Sequence, residues 1–164
     1  MPGAGADEAA GTAQPTEPVW AVHQSTDGRL AVELPGVPVV TTVTASSELG
    51  PLDYDVATVL VDGVEYTVAD AARPAGQEAD LPAAASAMGV SVLAESTFTA
   101  ATELELGGVA CLRFEAEGAL DNGPGALAGL VCDSGDHVYQ LYALGPAGAL
   151  GHADRFLSSA AITG

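Results

Sequence analysis

Two cysteines, three histidines and several pairs of carboxylates are the residues through which this chain could do chemistry. Cys111 and Cys132 lie at equal distances from Asp121-Asn122, the centre of a turn signal. A symmetric hairpin closing there sets them directly opposite one another. Opposed residues of an antiparallel pair have Cα atoms about 4.5–5.5 Å apart, within the span of a disulfide. The same register opposes Leu112 to Val131, Phe114 to Gly129 and Ala116 to Leu127, which gives one apolar face. A cross-strand disulfide is expected, and with it an oxidising compartment. Two reduced, partly buried thiols in a cytosolic protein are the alternative. No Cys-x-x-Cys marks a redox-active pair, and two cysteines are too few for a structural zinc site.

Cys132-Asp133-Ser134-Gly135 is superficially similar to the Asp-Ser-Gly around the nucleophile of chymotrypsin-like proteases. The preceding Gly is absent and no second motif supplies a His with its acid, so these residues read as a turn between strands. The chain contains no Gly-x-Ser-x-Gly, phosphate loop or His-Glu-x-x-His. Asp53/Asp55, Glu103/Glu105 and Glu115/Glu117 would each share one face of a strand. Such pairs chelate Ca²⁺ only where a loop adds further oxygens, and otherwise mark a solvated face. His23 reads as a strand-surface residue, His137 as a turn residue and His152 as a helix-surface residue, none with a partner at a fixed spacing. Tyr139 and Tyr142 fall on opposite faces of the last strand, one for the core and one for a groove. No catalytic, cofactor-binding or metal-ligating set emerges, and no cofactor is expected.

The elements that would position these residues follow from alternation and turn signals. Trp20 to Gln24 reads as a first strand, Asp27-Gly28 as a turn, and Arg29 to Leu34 as a strand with Leu30, Val32 and Leu34 on one face. Val37 to Thr44 continues as a strand that Pro38 confines to an edge or a strand start. Ser46 to Leu52 reads as loop. Tyr54 to Val61 and Val64 to Ala69 form a hairpin around Asp62-Gly63, with Val64, Tyr66 and Val68 on one face. Asp80 caps a helix that has Pro82 in its first turn, an apolar stripe of Leu81, Ala84, Ala85 and Met88, and a stop at Gly89. Ser91 to Leu106 and Val109 to Glu117 flank the Gly107-Gly108 turn. Gly118 to Gly125 reads as loop, Ala126 to Cys132 returns, and Val138 to Leu144 is the last strand. A terminal helix from Pro146 presents Ala149, Ala153, Phe156, Leu157 and Ala160 on one face. Connections this short predict a mainly antiparallel sheet with helices packed on it, an α+β fold.

The 164 residues suit one domain. Residues 1–18 read as a disordered acidic linker rich in Pro, Gly and Ala, and residues 19–164 as a single α+β domain. Such linkers follow cleaved signals or lipid anchors, so a lipid anchor upstream is compatible with the sequence. No stretch is long and apolar enough to span a membrane. The net charge is −18, from 22 carboxylates against Arg29, Arg73, Arg113 and Arg155. That field repels nucleic acid and anionic membrane and favours cationic partners. Scattered carboxylates mainly keep a protein soluble, which is the stronger reading of this charge, and salt adaptation is a third.

Asp27-Gly28-Arg29-Leu30-Ala31-Val32-Glu33-Leu34-Pro35-Gly36-Val37-Pro38 resembles the opening of small secreted bacterial domains. Val138-Tyr139-Gln140-Leu141, Gly145-Pro146 and Asp154-Arg155-Phe156-Leu157-Ser158-Ser159 resemble their close. These domains are similar to the Mog/PsbP-like α/β/α sandwich group, which includes actinobacterial LpqN-type lipoproteins. The resemblance implies an antiparallel sheet with helices on its faces, no shared catalytic residues, and adaptor, binding or accessory roles. The expected function is a non-enzymatic, secreted or envelope-associated interaction domain for a protein or a small apolar ligand. The alternatives are a cytosolic chaperone or immunity-type protein masking a basic partner, and an acidic metal-dependent hydrolase.

Overall fold

Glycine-centred turns and alternating apolar residues organise two meanders in the computed structural model, which describes residues 18–47, 50–74 and 76–163. The predicted linker lies, except for Pro18, outside the described residues. A short hairpin comes first, β1 (Ala21–Gln24) and β2 (Leu30–Leu34). The first meander is β3 (Val39–Ser47), β4 (Gly50–Val61) and β5 (Val64–Ala72). Helix α1 (Leu81–Val92) leads to the second, β6 (Ala94–Leu106), β7 (Val109–Leu120), β8 (Gly123–Asp133) and β9 (His137–Pro146). A short helix α2 (Ala153–Ser158) and strand β10 (Ala161–Ile162) close the chain.

The two meanders merge because β9 pairs with β5, giving a seven-stranded sheet of order β3-β4-β5-β9-β8-β7-β6. Strands β10, β2 and β1 make a second, three-stranded sheet. All these pairings are antiparallel. The α+β class with a mainly antiparallel sheet is therefore as expected.

Period-two alternation sends side chains to two different layers. One face of the large sheet carries Val59, Tyr66, Val68, Leu130, Tyr139 and Leu141, all buried beneath the small sheet and α2. There Leu30, Val32, Leu34 and Phe156 fill the interlayer space, and Phe156 meets Tyr66 edge to face at 5.5 Å. The opposite face carries Leu112, Phe114, Ala116, Leu127 and Val131, which pack under Ala85 and Met88 of α1. The Asp62-Gly63 turn has φ of 53° and 79°, the left-handed pair that a two-residue hairpin requires.

Several boundaries differ from expectation, chiefly where glycine reads as loop. Residues 46–52 belong mostly to β3 and β4, which pair as far as Ser47 with Gly50. The predicted loop 118–125 narrows to a turn at Asp121-Asn122, because Gly118 and Gly125 are strand residues. A Cβ on Gly118 would sit 2.6 Å from the Ala94 carbonyl, so glycine here serves close packing. Gly89 likewise does not stop α1. It is buried, its Cβ position 2.6 Å from Ser96 Oγ, and the helix runs on to Val92, so Ser91 and Val92 are helical rather than extended. The terminal helix from Pro146 shrinks to Ala153–Ser158 after a turn at Gly148. Ala153, Phe156, Leu157 and Ala160 are buried as expected and Ala149 is exposed.

Candidate functional site

A seven-stranded sheet is about 30 Å wide at 4.8 Å per strand, whereas a helix with its side chains covers about 10 Å. On the face away from the small sheet, α1 is the one helix among the described residues, and it lies over β6, β7 and β8. Asp80 caps it by accepting a hydrogen bond from Ala83 N at 3.1 Å. Its approach is fixed by Asp133, whose Oδ2 accepts from Ala79 N at 3.0 Å. Asp133 Oδ1 lies 2.9 Å from Arg73 Nε, a largely buried ion pair, and Arg73 Nη2 also donates to the Gly135 carbonyl.

The remaining half of that face is apolar, and α1 does not close it. A cleft of about 430 Å³ opens between the helix and β3–β4–β5–β9. Its floor is Thr67 and Ala69 of β5 with Val138, Gln140 and Tyr142 of β9. One wall is the alanine-rich side of α1, Ala83, Ala84 and Ala87 beside Met88 and Val92. The other wall is Val43 and Ala45 of β3 with Leu52, Tyr54 and Val56 of β4. No charged side chain lines it among the described residues. At one end, Tyr142 donates to Glu65 Oε2 at 2.8 Å, and Thr67 Oγ1 donates to the same oxygen at 2.9 Å. Burial, reinforced by Glu65, pushes the Tyr142 phenol up to about 12, so it stays a neutral donor.

On the other face, Cys111 and Cys132 are bonded, opposed in register, with Cα atoms 4.1 Å apart and both residues buried. The three further pairs expected with them are all present. The row continues across the sheet from Cys132 to Tyr139 and then to Asp70.

Asp70 begins a polar cluster that fastens the small sheet to the large one. It is buried, and its Oδ2 accepts from Thr26 Oγ1 at 2.5 Å and lies 2.8 Å from His137 Nε2. Asp27 accepts from Ser25 Oγ at 2.5 Å and from the Tyr139 hydroxyl at 2.6 Å, with His137 Nδ1 at 3.9 Å. Burial works against ionisation of Asp27. The hydrogen bonds from Ser25, Tyr139 and the Arg29 amide, with His137 nearby, outweigh it and hold the carboxyl below its usual range. The Tyr139 phenol is pushed up, first by burial and then by Asp27. His23 is half-buried, and burial pulls its ring down against the opposing pull of Asp70.

His137 is therefore not a free turn residue. It opens β9 and is wedged between two carboxylates. Asp27 and Asp70 escaped the sequence reading, although a signal was present: Asp70 continues the core-facing series Val64, Tyr66, Val68, where a carboxylate must find donors. His152 is exposed at the start of α2, its ring 5.8 Å from Trp20. The three i, i+2 carboxylate pairs do not meet. Asp53 and Asp55 accept from Thr44 and Thr42 on β3. Glu103 and Glu105 lie on exposed β6, and Glu115 and Glu117 line a more polar recess beside Arg113 and Asp154. No cluster of three or more metal-ligating side chains forms among the described residues. Ser134 donates to Asp136 Oδ1 at 3.0 Å and to the His137 carbonyl at 3.2 Å within its turn.

No helix among the described residues is long and apolar enough to cross a membrane. No family model matches the chain, and no curated protein matches it significantly. Among solved structures it is similar to PA94 from Pseudomonas aeruginosa, a protein of unknown function. The TM-score is 0.41 and the identity 11%, over 81% of this chain and 87% of that one.

Proposed function

We propose that this chain is a non-enzymatic, exported or envelope-associated binding domain that holds an uncharged, largely apolar ligand in the cleft beside α1. The cleft carries this reading. Its volume falls within the roughly 300–1,000 Å³ of small-molecule sites, and its walls are mostly apolar. On a chain of net charge −18, a cavity without charged walls disfavours an anion and offers a cation no partner. The disulfide supports the extracytoplasmic part of the proposal, since such bonds persist in oxidising compartments. We place the fold, with its layers on both sheet faces, among the Mog/PsbP-like sandwiches and lipoprotein-type accessory domains, on the strength of the sequence resemblance.

The test uses the neutral apolar dye Nile red. Binding in the cleft gives saturable, blue-shifted fluorescence with one site per chain. Ala84→Phe, which fills the cleft from α1, weakens it by about tenfold, about 1.4 kcal/mol. Absence of a saturable signal, or unchanged binding by the variant with its circular dichroism intact, refutes the reading.

A further inference from the structure

The two edges of the large sheet are built differently. Edge strand β6 is guarded as edges normally are: it carries Glu95, Glu103 and Glu105, two register irregularities, and Glu95 at a φ of 54°. Edge strand β3 has none of these devices. Its nine residues, VVTTVTASS, contain no charge and no proline, and they pair with β4 without a register break. Val39, Val40 and Val43 are 74, 62 and 44% exposed, and Val37 just before it is 94% exposed. The outward half of its backbone donors and acceptors has no strand partner among the described residues.

We propose that β3 is a docking edge that adds one extended peptide strand, in which apolar residues alternate with Lys or Arg. The alternation follows from the two faces of the edge. Val39, Thr41 and Val43 share the face of Tyr54 and Val56, which leads into the apolar cleft rim. Side chains of an added strand on that face meet only apolar and threonine neighbours. The other face carries Val40 at one end and then Thr42 and Thr44, and immediately behind the threonines Asp55 and Asp53. Asp55 is itself opposed to buried Asp70, and no salt bridge reaches Asp53 or Asp55 among the described residues. These carboxylates lie about 10 Å, two strand spacings, from an added strand, and a long cationic side chain crosses the short threonines to reach them. The net charge of −18 steers such a peptide inward and opposes pairing of two copies of this chain. Backbone pairing supplies the affinity and the alternation supplies the selectivity. The edge borders the cleft and shares Val43 with its wall, but strand addition is read by peptide affinity and amide methylation, which dye binding does not report.

The oxidised full-length chain is titrated with fluorescent eight-residue peptides of identical composition, one alternating lysine and valine and one with four lysines followed by four valines. The alternating peptide binds at least about tenfold tighter, and N-methylation of one alternate set of its amides weakens it by about tenfold while the other set stays within about twofold. Asp53→Asn combined with Asp55→Asn weakens it about three- to tenfold. Equal binding of the two peptides, equal effects of both methylation sets, or indifference to the aspartate substitutions overturns the proposal. A concentration-dependent dimer that the peptide competes away also overturns it, by assigning the edge to a second copy.

Discussion

Removing the Cys111–Cys132 bond by the double substitution Cys111→Ala and Cys132→Ala isolates what the cross-link contributes. The two residues are 21 apart, and closing a loop of that length in the unfolded chain costs about 11 cal/mol/K on the chain-entropy model, or about 3 kcal/mol at 25 °C. In the native state the register does not depend on the bond, because Leu112, Phe114 and Ala116 hold it from the opposite face with Val131, Gly129 and Leu127. The loss should therefore arise mainly in the denatured ensemble. Urea denaturation followed by Trp20 fluorescence and circular dichroism separates the two contributions. The variant is expected to unfold about 3 kcal/mol more easily with an unchanged native spectrum. Its m-value should be larger, because an uncrosslinked chain exposes more surface. Against a typical domain stability of about 5–15 kcal/mol, that is a large share. A reductant should bring the parent chain towards the same midpoint. An unchanged midpoint refutes the entropic account. Two titratable thiols in protein purified without reductant refute the bond itself, and with it the support for an oxidising compartment.

Phe114 lies over Gly129, and a Cβ there would come within 2.8 and 3.0 Å of ring carbons, with Phe98 closing the ring in at 5.7 Å. Gly129→Ala is expected to cost about 2 kcal/mol in urea denaturation, and less than about 1 kcal/mol in a Phe114→Leu background. Equal costs in the two backgrounds would show that the ring is not what excludes the methyl. Asp27 has a depressed native pKa, so its ionised form stabilises the fold above the ordinary carboxylate pKa near 4, and that contribution disappears as pH falls through the native value. Asp27→Asn should lower the melting temperature at pH 7 and converge with the parent in strong acid. A difference that persists undiminished below pH 2 counts against the ionic assignment.

The hairpin at 109–133 was readable because three independent signals agreed: the turn residues, the symmetric cysteines and a continuous apolar face. The cleft was not readable in the same way. It depends on how far α1 reaches across the sheet, a comparison of helix width with strand number that no local pattern encodes. Glycine misled where its role was close packing rather than a bend, at Gly89, Gly118 and Gly125. Gly107 and Gly108, with φ of 58° and 82°, form the turn their type suggests. The Asp27–Asp70–His137 cluster joins residues up to 110 positions apart, and only the core-facing phase of Asp70 hinted at it.

The alanine bias that makes the sequence look uninformative acquires a physical meaning on α1. Along residues 83–87, Ala85 turns into the core while Ala83, Ala84 and Ala87 face the cleft. The helix is thus gripped on one side, by Ala85, Met88 and Gly89 against β6–β8, and along residues 83–87 presents methyl groups to the cleft on the other. Larger apolar residues on that side would bury more surface, at about 25 cal/mol per Å², and would increase stability if stability were all that mattered. Ala84→Phe should then unfold at an equal or higher denaturant concentration while binding the dye about tenfold more weakly, the trade expected of a position kept small for a ligand. A variant that loses stability and binding together would instead make the alanines a packing requirement, and the cleft a by-product of a short helix on a wide sheet.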